Sequence, residues 1–559
     1  MNRIFLAIGA LLLLSSLAQA DSVDSYIRMR QERDHVPGIA VAIVKDGKVV
    51  RKKGYGYADL EHKARVTTDT PYQLASVTKQ FTATAIMMLV EEGKLKLEDR
   101  VSQHLTDLPA AWSEVTIRQL LNHTSGIKSY TSVPDFGKMM RTDFSHQEIL
   151  GLVAKEPLEF ASGSAWNYNN TGYFLLGMLL EKVSGKLYGD FLTERIFKPL
   201  GMSRTRVNNL QIVIPGRARG YTWDGSTVRN GEYVSPTQPY AAGALISTID
   251  DMIKWADALE SRRLLTQASW DQIWTATRLT TGKTENYGFG WSVNELNGHR
   301  MVEHSGGIPG FATDIVRFPE DRVTVIVLCN SDQINAASLA TGIARHYIPT
   351  LAPTPPKTIS VTPEAVQGIS GYYDWRGSIG VLLPRSGQIS LNGDLLSFSA
   401  LDTFFLNNFD RSPRIQTFRV VKDRAGQPTE IVQNEERHIA RIGPLASLVA
   451  LQPDSDSALN QRINSTMKAL SQGEKTLENF PVAPGFKARF AGVAVPELSG
   501  YQNLSYLATY DISARNIERH GGKVSRVLYY RLAATGPAKY LLVYLTADGL
   551  ITDIDAVTE

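Results

Sequence analysis

A chain of 559 residues is too long for one hydrophobic core, so roughly two to four domains are expected. With 43% apolar and 21% charged residues, the composition is that of a folded, water-soluble protein and excludes a disordered or fibrous one. Lys and Arg total 59 against 56 Asp and Glu, and a net charge of +3 gives no electrostatic basis for nucleic-acid or membrane-surface binding.

Arg3, the apolar run Ile4 to Leu14 and the small-residue site Ala18-Gln19-Ala20 read as a secretory signal peptide, residues 1–20, cleaved after Ala20. That predicts a periplasmic or secreted protein. No later run approaches the length of a membrane span, so no transmembrane segment is expected after signal removal. Cys329 is the sole cysteine, which excludes an intramolecular disulfide and cysteine-based zinc sites. Its setting in the run Val325 to Cys329 is that of an inert core thiol. The ten histidines show no H-E-x-x-H or H-x-H pairing, and no metal or cofactor is expected.

After the cut, Val23 to Arg33 has the pattern of a charged amphipathic helix. Gly38–Val44 and Lys48–Gly54 read as strands joined by Asp46-Gly47, a hairpin signal. From Leu74 to Gly93 an almost unbroken apolar run follows Leu-Ala-Ser-Val-Thr-Lys, which predicts a helix buried on all sides, with Gly93 as its C′ residue. Helices are expected at 116–121, 146–154 and 172–183. Strand character returns at Met301–Glu303, Phe311–Phe318 and Arg322–Cys329, before a helix at 333–347. Strands at both ends of a helical block predict one antiparallel sheet, closed by the first and last helices on one face, with the helical block as a second lobe. The expected fold is therefore α/β (α+β), with a ligand cleft between the lobes.

Pro349, Pro353, Pro355, Pro356 and Pro363 mark a stiff linker. Short strands from Gly368 to Gly443, broken at Arg385-Ser386-Gly387, Leu391-Asn392-Gly393 and Arg424-Ala425-Gly426, predict a small β-barrel or sandwich. Beyond a second break at 452–456, Leu459, Ile463, Met467 and Leu470 recur at helical spacing. Strands are then expected near 506–516, 524–532, 538–546 and 550–556. The expected domains are 21–350 for the lobed unit, 351–364 for the linker, 365–445 for the barrel-like part and 455–559 for a small helix-plus-strands part.

Ser76 and Lys79 are three residues apart at the start of the buried helix, so they share one face. Desolvation lowers a lysine's pKa there, and Ser76 becomes a candidate activated nucleophile. The same S-x-x-K spacing occurs at Ser125/Lys128 and Ser465/Lys468, but neither pair opens a buried helix. In order along the chain follow Tyr168-Asn169-Asn170 (Y-x-N) and His304-Ser305-Gly306 (H-x-G). Tyr501-Gln502-Asn503 and His520-Gly521-Gly522 repeat those patterns outside that order. Further matching stretches are Thr116 to Gly126 and Tyr287-Gly288-Phe289-Gly290-Trp291.

In these residues the chain resembles the serine β-lactamase/penicillin-binding-protein superfamily, over about Val23 to Tyr347. It looks closest to the branch of D-alanyl-D-alanine carboxypeptidases, D-amino-acid peptidases and esterases with Y-x-N and H-x-G. The resemblance implies a β-lactamase/transpeptidase-like domain in which Ser76 is acylated, Lys79 and Tyr168 act as one base, and Asn170 positions Lys79 and the substrate amide. It also implies an oxyanion site formed by backbone N–H groups of Ser76 and Gly307, beside Gly306. His304 stands where many relatives have lysine; there it would meet a substrate carboxylate and titrate near its reference pKa of roughly 6.5. Two departures concern Ser162-Gly163, where the family has Pro-Gly, and the lack of a class A deacylating glutamate, since neither Glu156 nor Glu159 has the matching context. The expected function is an exported serine hydrolase acting through an acyl-enzyme on D-amino-acid peptides, cell-wall fragments or esters. The alternatives are a true β-lactamase and a sensor that is acylated without turnover. The expected partner is a small-molecule or peptide substrate, not nucleic acid, and the accessory domains would cover the active site or bind a partner.

Overall fold

Asp46 and Gly47 both take positive φ (52° and 71°), as a two-residue hairpin turn requires, and join β1 (Gly38–Lys45) to β2 (Lys48–Asp59). The computed structural model in which this hairpin is seen describes residues 22–558 apart from 135, 353–355, 363–365, 367, 376–377, 386–387, 392–393, 407–415, 435–436, 445–456, 475–476, 491–497, 499, 512, 514–517, 520–521 and 535–538. The expected signal peptide and the 452–456 break lie outside the described residues, as do Pro353, Pro355 and Pro363 of the linker. The chain divides into two units, Met1–Pro353 and Thr354–Glu559.

In the first unit a helix α1 (22–33) precedes the hairpin, and β2 is followed by a short β3 (Ala64–Arg65). The buried helix α2 (Thr78–Glu91) and the lobe helix α3 (Asn170–Ser184) come next. Then come β4 (Ser292–Leu296), β5 (His299–Ile308), β6 (Phe311–Phe318), β7 (Val323–Cys329) and α4 (Ala336–Ala344). These seven strands form one antiparallel sheet in the order β4-β5-β6-β7-β1-β2-β3, and shorter strands of the first unit pair in separate two- and three-stranded sheets. Strands β6 and β7 are buried along their whole length, and β1 at all but its last residue. Strands β1 and β7 read as nearly unbroken apolar runs because both faces are covered, whereas β6 buries Thr313, Asp314 and Arg317 among its apolar residues. One face, with Ile39, Val41, Ile43, Val325 and Val327, packs on Val23 and Ile27 of α1 and Leu339 and Ile343 of α4. The other, with Ala40, Ala42, Ile326 and Leu328, joins the core around α2 and the helical lobe. Cys329 is fully buried, in register with Ile39 and Ala312 on its two neighbouring strands.

Three differences from the sequence expectation bear on the site and the sheet that holds it. Strand β5 runs to Ile308, so His304 to Gly307 lie inside it rather than beyond its end; Ser305, Gly306 and Gly307 have little strand propensity and are held by pairing with Asp314, Thr313 and Ala312. Strand β4 carried no clear signal because it is a short edge strand. Helix α3 starts at Asn170, not Gly172, because the Asn169 side chain caps it by accepting the Gly172 N–H at 2.7 Å.

In the second unit the described strands between 371 and 444 form a closed eight-stranded barrel around Tyr373, Leu382, Ile389, Phe404, Phe418 and Ile431. Helix α5 (Ser457–Ser471) packs Leu459, Ile463, Met467 and Leu470 on an antiparallel sheet of Tyr501–Asp511, Arg526–Ala534, Lys539–Leu545 and Ile551–Thr558. A further helix, Pro484–Phe490, had no sequence expectation. The fold class is the mixed one expected, an antiparallel sheet with helices followed by strand-rich parts.

Asp314 on β6 is fully buried, and neither carboxyl oxygen has a hydrogen-bond partner among the described residues. Burial first, then the charge of Glu303, pushes its pKa well above the usual carboxylate range. A raised folded pKa contributes stability that is complete below the unfolded value of about 3.9 and is lost as pH rises through the folded value. Asp314→Asn cannot ionise and should escape that loss. Its melting temperature should gain on the parent's as pH is raised from about 5 to 9; a difference independent of pH would refute the assignment.

Candidate active site

Ser76 lies in a single tight turn, Ala75–Val77, that runs directly into α2. Ala75 is held at φ 47°, an unfavourable conformation for a residue with a side chain, so the turn carries strain next to the serine. Strand β5 presses on this turn. A Cβ on Gly306 would fall 2.2 Å from the Leu74 carbonyl and 3.1 Å from the Ser76 nitrogen, so only glycine permits the approach. Thr313 Oγ1 on β6 donates to the same Leu74 carbonyl at 2.8 Å, tying the sheet to the turn.

The Lys79 side chain is fully buried, and its Nζ has three neighbours: Asn170 Oδ1 at 2.9 Å, the Ala242 carbonyl at 2.8 Å and Ser76 Oγ at 3.1 Å. The first two are acceptors only and take two of the amine's hydrogens. The remaining direction points at Ser76. In the ammonium it is a third N–H; in the neutral amine it is the lone pair, which accepts the Ser76 O–H. Burial lowers the Lys79 pKa well below its ordinary value, which favours the second arrangement. The Asn170 amide is oriented by its own donation to Thr131 Oγ1 at 3.1 Å.

The Tyr168 ring lies beside Lys79, 4.8 Å from Nζ to the ring centre. Its hydroxyl is buried without a hydrogen bond of regular geometry; burial raises its pKa, and the neighbouring Ser76 hydroxyl opposes that rise. The group is thus a neutral proton donor beside the serine. Tyr168, Asn170, Ser76 and Lys79 are brought together from two lobes.

His304 departs from its expectation. The Asn169 N–H donates to His123 Nδ1 at 3.2 Å, so neutral His123 carries its proton on Nε2 and donates to the Tyr287 hydroxyl at 3.1 Å. That hydroxyl donates to His304 Nε2 at 2.8 Å, and His304 Nδ1–H donates to the Ser305 carbonyl at 2.6 Å. Backbone groups at both ends fix the direction of the chain. Both ring nitrogens of His304 are occupied, so neither is free to hold a substrate carboxylate. Burial, followed by the charge of Lys79, lowers its pKa to about 3 against the Ser305 contact, well below the roughly 6.5 expected.

Strand β4 pairs with β5 only as far as Ser292 opposite Glu303, so from His304 onward β5 has an open edge toward the cleft. Ser76, Asn170 and Gly307 line a cavity of about 270 Å³ whose other walls include Tyr130, Phe136, Met140, Val234 and Ile308. Among the described lining residues there is no charged side chain. The cavity accepts an apolar group next to a reacting carbonyl, with backbone N–H groups of the turn and the β5 edge available to an oxyanion.

The competing motifs do not assemble. Lys128 pairs with Glu156 at 2.9 Å, and Ser125 Oγ accepts the Ile127 N–H at 3.3 Å. Ser465 bonds the Arg462 carbonyl on α5, and the Tyr501 hydroxyl bonds Asn464, while His520 and Gly521 lie outside the described residues. Glu159 accepts from Asn167 at 2.7 Å, and neither Glu156 nor Glu159 is among the described residues that line the Ser76 cavity. Gly163 takes φ 84°, and its N–H donates to the Thr124 carbonyl, which fixes the loop that has serine before this glycine. Sequence reasoning assigned no role to the Ala242 carbonyl, His123 or Tyr287. The last two lie in the stretches 116–126 and 287–291, which resemble the family without implying a role for either residue.

Imidazole NMR of the intact protein should show His304 as a single neutral Nδ1–H tautomer that does not titrate between about pH 5 and 8. Tyr287→Phe removes the donor to Nε2 and should let the second tautomer appear. Titration of the parent His304 near pH 6.5 would contradict the geometry.

The β-lactamase family model matches residues 23–347. Penicillin-binding protein 4* of Bacillus subtilis (strain 168) is 35% identical over 316 residues, which are 52% of this chain and 68% of that protein. The octameric penicillin-binding protein homologue from Pyrococcus abyssi superposes with a TM-score of 0.55 at 26% identity, covering 75% of this chain and 99% of its own. The D-amino acid amidase from Ochrobactrum anthropi SV3, solved with L-phenylalanine amide, gives a TM-score of 0.52 at 26% identity over 60% of this chain and 98% of its own. The match extends over more than half of the sequence and agrees with the sheet, the lobe and the residues between them: the chain belongs to the β-lactamase family and is a serine hydrolase of that fold.

Proposed function

We propose that the protein is an exported acyl-enzyme hydrolase of D-amino-acid amides, peptides or related esters, with Ser76 as nucleophile. The observation that carries this reading is the Lys79 amine, anchored by two acceptors with its third direction on Ser76 Oγ. Similarity to the D-amino acid amidase supports the substrate class. The signal-like residues 1–20 support export, and among the described residues no helix is long and apolar enough to cross a membrane.

In this mechanism Ser76 Oγ attacks the substrate carbonyl as its proton passes to Lys79 Nζ, directly or through the Tyr168 hydroxyl. The oxyanion is met by the N–H groups of Ser76 and Gly307, each worth about 10²–10³-fold. Collapse breaks the carbonyl–leaving-group bond, and the leaving group takes its proton from the Lys79–Tyr168 pair. Water then attacks the acyl-enzyme as its proton passes to the same pair; the bond between the acyl carbon and Ser76 Oγ breaks, Oγ takes that proton back, and the acid leaves. The uncharged cavity and the engaged His304 favour an apolar group next to the scissile carbonyl and argue against efficient turnover of penicillins, whose carboxylate would find no cation on β5 from His304 to Ile308. The domain limits 21–350, 365–445 and 455–559 belong to this proposal.

Intact-mass analysis with a fluorophosphonate, activated esters and a D-amino acid amide tests the reading. Ser76→Ala should lose all covalent adducts while the fold remains, and Ser125→Ala should label normally; the reverse pattern would overturn the assignment of the nucleophile.

Lys79→Ala and Tyr168→Phe should each slow acylation by about 10²–10⁴-fold. Combined, they should cost much less than the product, because groups acting as one relay are not additive. Stopped-flow acylation rates check this, and multiplicative losses would separate the two roles.

A further inference from the structure

A second cavity of about 360 Å³ adjoins the first, lined by Gln73, Arg217, Asn230 and Tyr233 among others. Val234 and Pro309 line both cavities, so the two form one continuous surface leading away from Ser76. Three glycines fix this arrangement. A Cβ on Gly231 would fall 2.7 Å from Gly310 Cα, and one on Gly310, itself at φ 80°, would fall 2.7 Å from Gly220 Cα. The Gly231 N–H donates to the Gly220 carbonyl at 2.8 Å, and the Tyr221 N–H donates to the Gly310 carbonyl at 3.3 Å. Residues 217–233 are thereby docked, backbone on backbone, against the turn between β5 and β6.

Its charges are unequal in their freedom. Arg219 is paired with Glu61, and Glu232 with Arg141 at 2.8 Å. Arg217 has no ion pair or side-chain hydrogen bond among the described residues, although it is half-buried. Burial lowers its pKa and the nearby Tyr233 opposes this, but a guanidinium stays charged at any physiological pH. Its planar fork of N–H donors is complementary to the two oxygens of a carboxylate, and a cation that has lost solvent without gaining an acceptor is a site for one.

We propose that this cavity is a carboxylate subsite of the Ser76 site, with Arg217 as its anchor. The substrate is an acyl or peptidyl compound whose apolar part fills the Ser76 cavity and whose distal carboxylate reaches Arg217 past Val234 and Pro309. This rests on the acyl-enzyme reading above and gives the site a charge preference that β5, with His304 held neutral, does not supply.

The test uses the full chain and two matched series: p-nitrophenyl monoesters of straight-chain dicarboxylic acids of increasing length, and the same compounds with the free acid methylated. The parent should prefer the free acid at a particular chain length. Arg217→Gln should lower kcat/KM for that acid by about tenfold to a hundredfold and leave its methyl ester unchanged. Arg217→Lys should retain part of the preference, and Arg219→Gln, at a cation already paired, should retain all of it. An acid-to-ester ratio that Arg217→Gln leaves unchanged at every length overturns the subsite while the hydrolase reading stands. Equal losses on both series assign Arg217 a structural role and also overturn it. No ester turnover and no Ser76 adduct in the parent would overturn the acyl-enzyme reading, and the subsite with it.

Discussion

The dehydrated environment of one amine constrains much of the first unit. Lys79 is wholly buried, and no carboxylate pairs with it among the described residues. A charge left there would be costly, so its surroundings must tolerate a neutral amine and supply acceptors for its hydrogens. Asn170 Oδ1 and the Ala242 carbonyl do this from two separate segments of the helical lobe. The same requirement reaches further: His123 and His304 are both held neutral, each by its own burial and by the Lys79 charge they would oppose. The Tyr168, Tyr173 and Tyr287 hydroxyls stay protonated for the same reason, since burial raises each of them. A site of uncharged, directed hydrogen bonds is therefore assembled around a single tunable proton acceptor.

That arrangement depends on close packing between the sheet and the serine turn. Gly306 allows β5 to touch the turn, and the end of β4 at Ser292 leaves the adjoining edge of β5 unpaired where an extended chain can pair with it. In the proposed function, an amide or peptide substrate is held there by its backbone with the scissile carbonyl over Ser76. The cavity walls are apolar near the serine and carry Arg217 beyond Pro309.

The sequence made the local parts of this site legible and left its long-range parts hidden. Ser76 and Lys79 could be paired because three residues on a helix bring side chains together whatever the rest of the fold does. Strands β1 and β7 were legible because burial on both faces leaves them almost wholly apolar. The Ala242 carbonyl had no signature, since every residue has a carbonyl, and only the fold brings this one to a lysine 163 positions away. The extent of β5 was hidden because serine and glycine are poor strand formers, and the environment of His304 because its partners His123 and Tyr287 come from distant segments. Short strands broken by turns described a barrel and a sandwich equally well; the closure of the barrel is a property of register, which alternation alone does not encode.

Cys329 gives the fold a built-in chemical clock. It sits in β7 between Ile39 and Ala312, sealed between the sheet and the α1/α4 layer, and burial makes its thiol a weaker acid still. A thiol reagent can reach it only when the centre of the sheet parts, so the rate of its modification measures the free energy of that opening. Because it is the sole cysteine of the chain, a thiol introduced on the surface would react against a silent background, and the two signals together would separate motion at a cleft wall from breathing of the core.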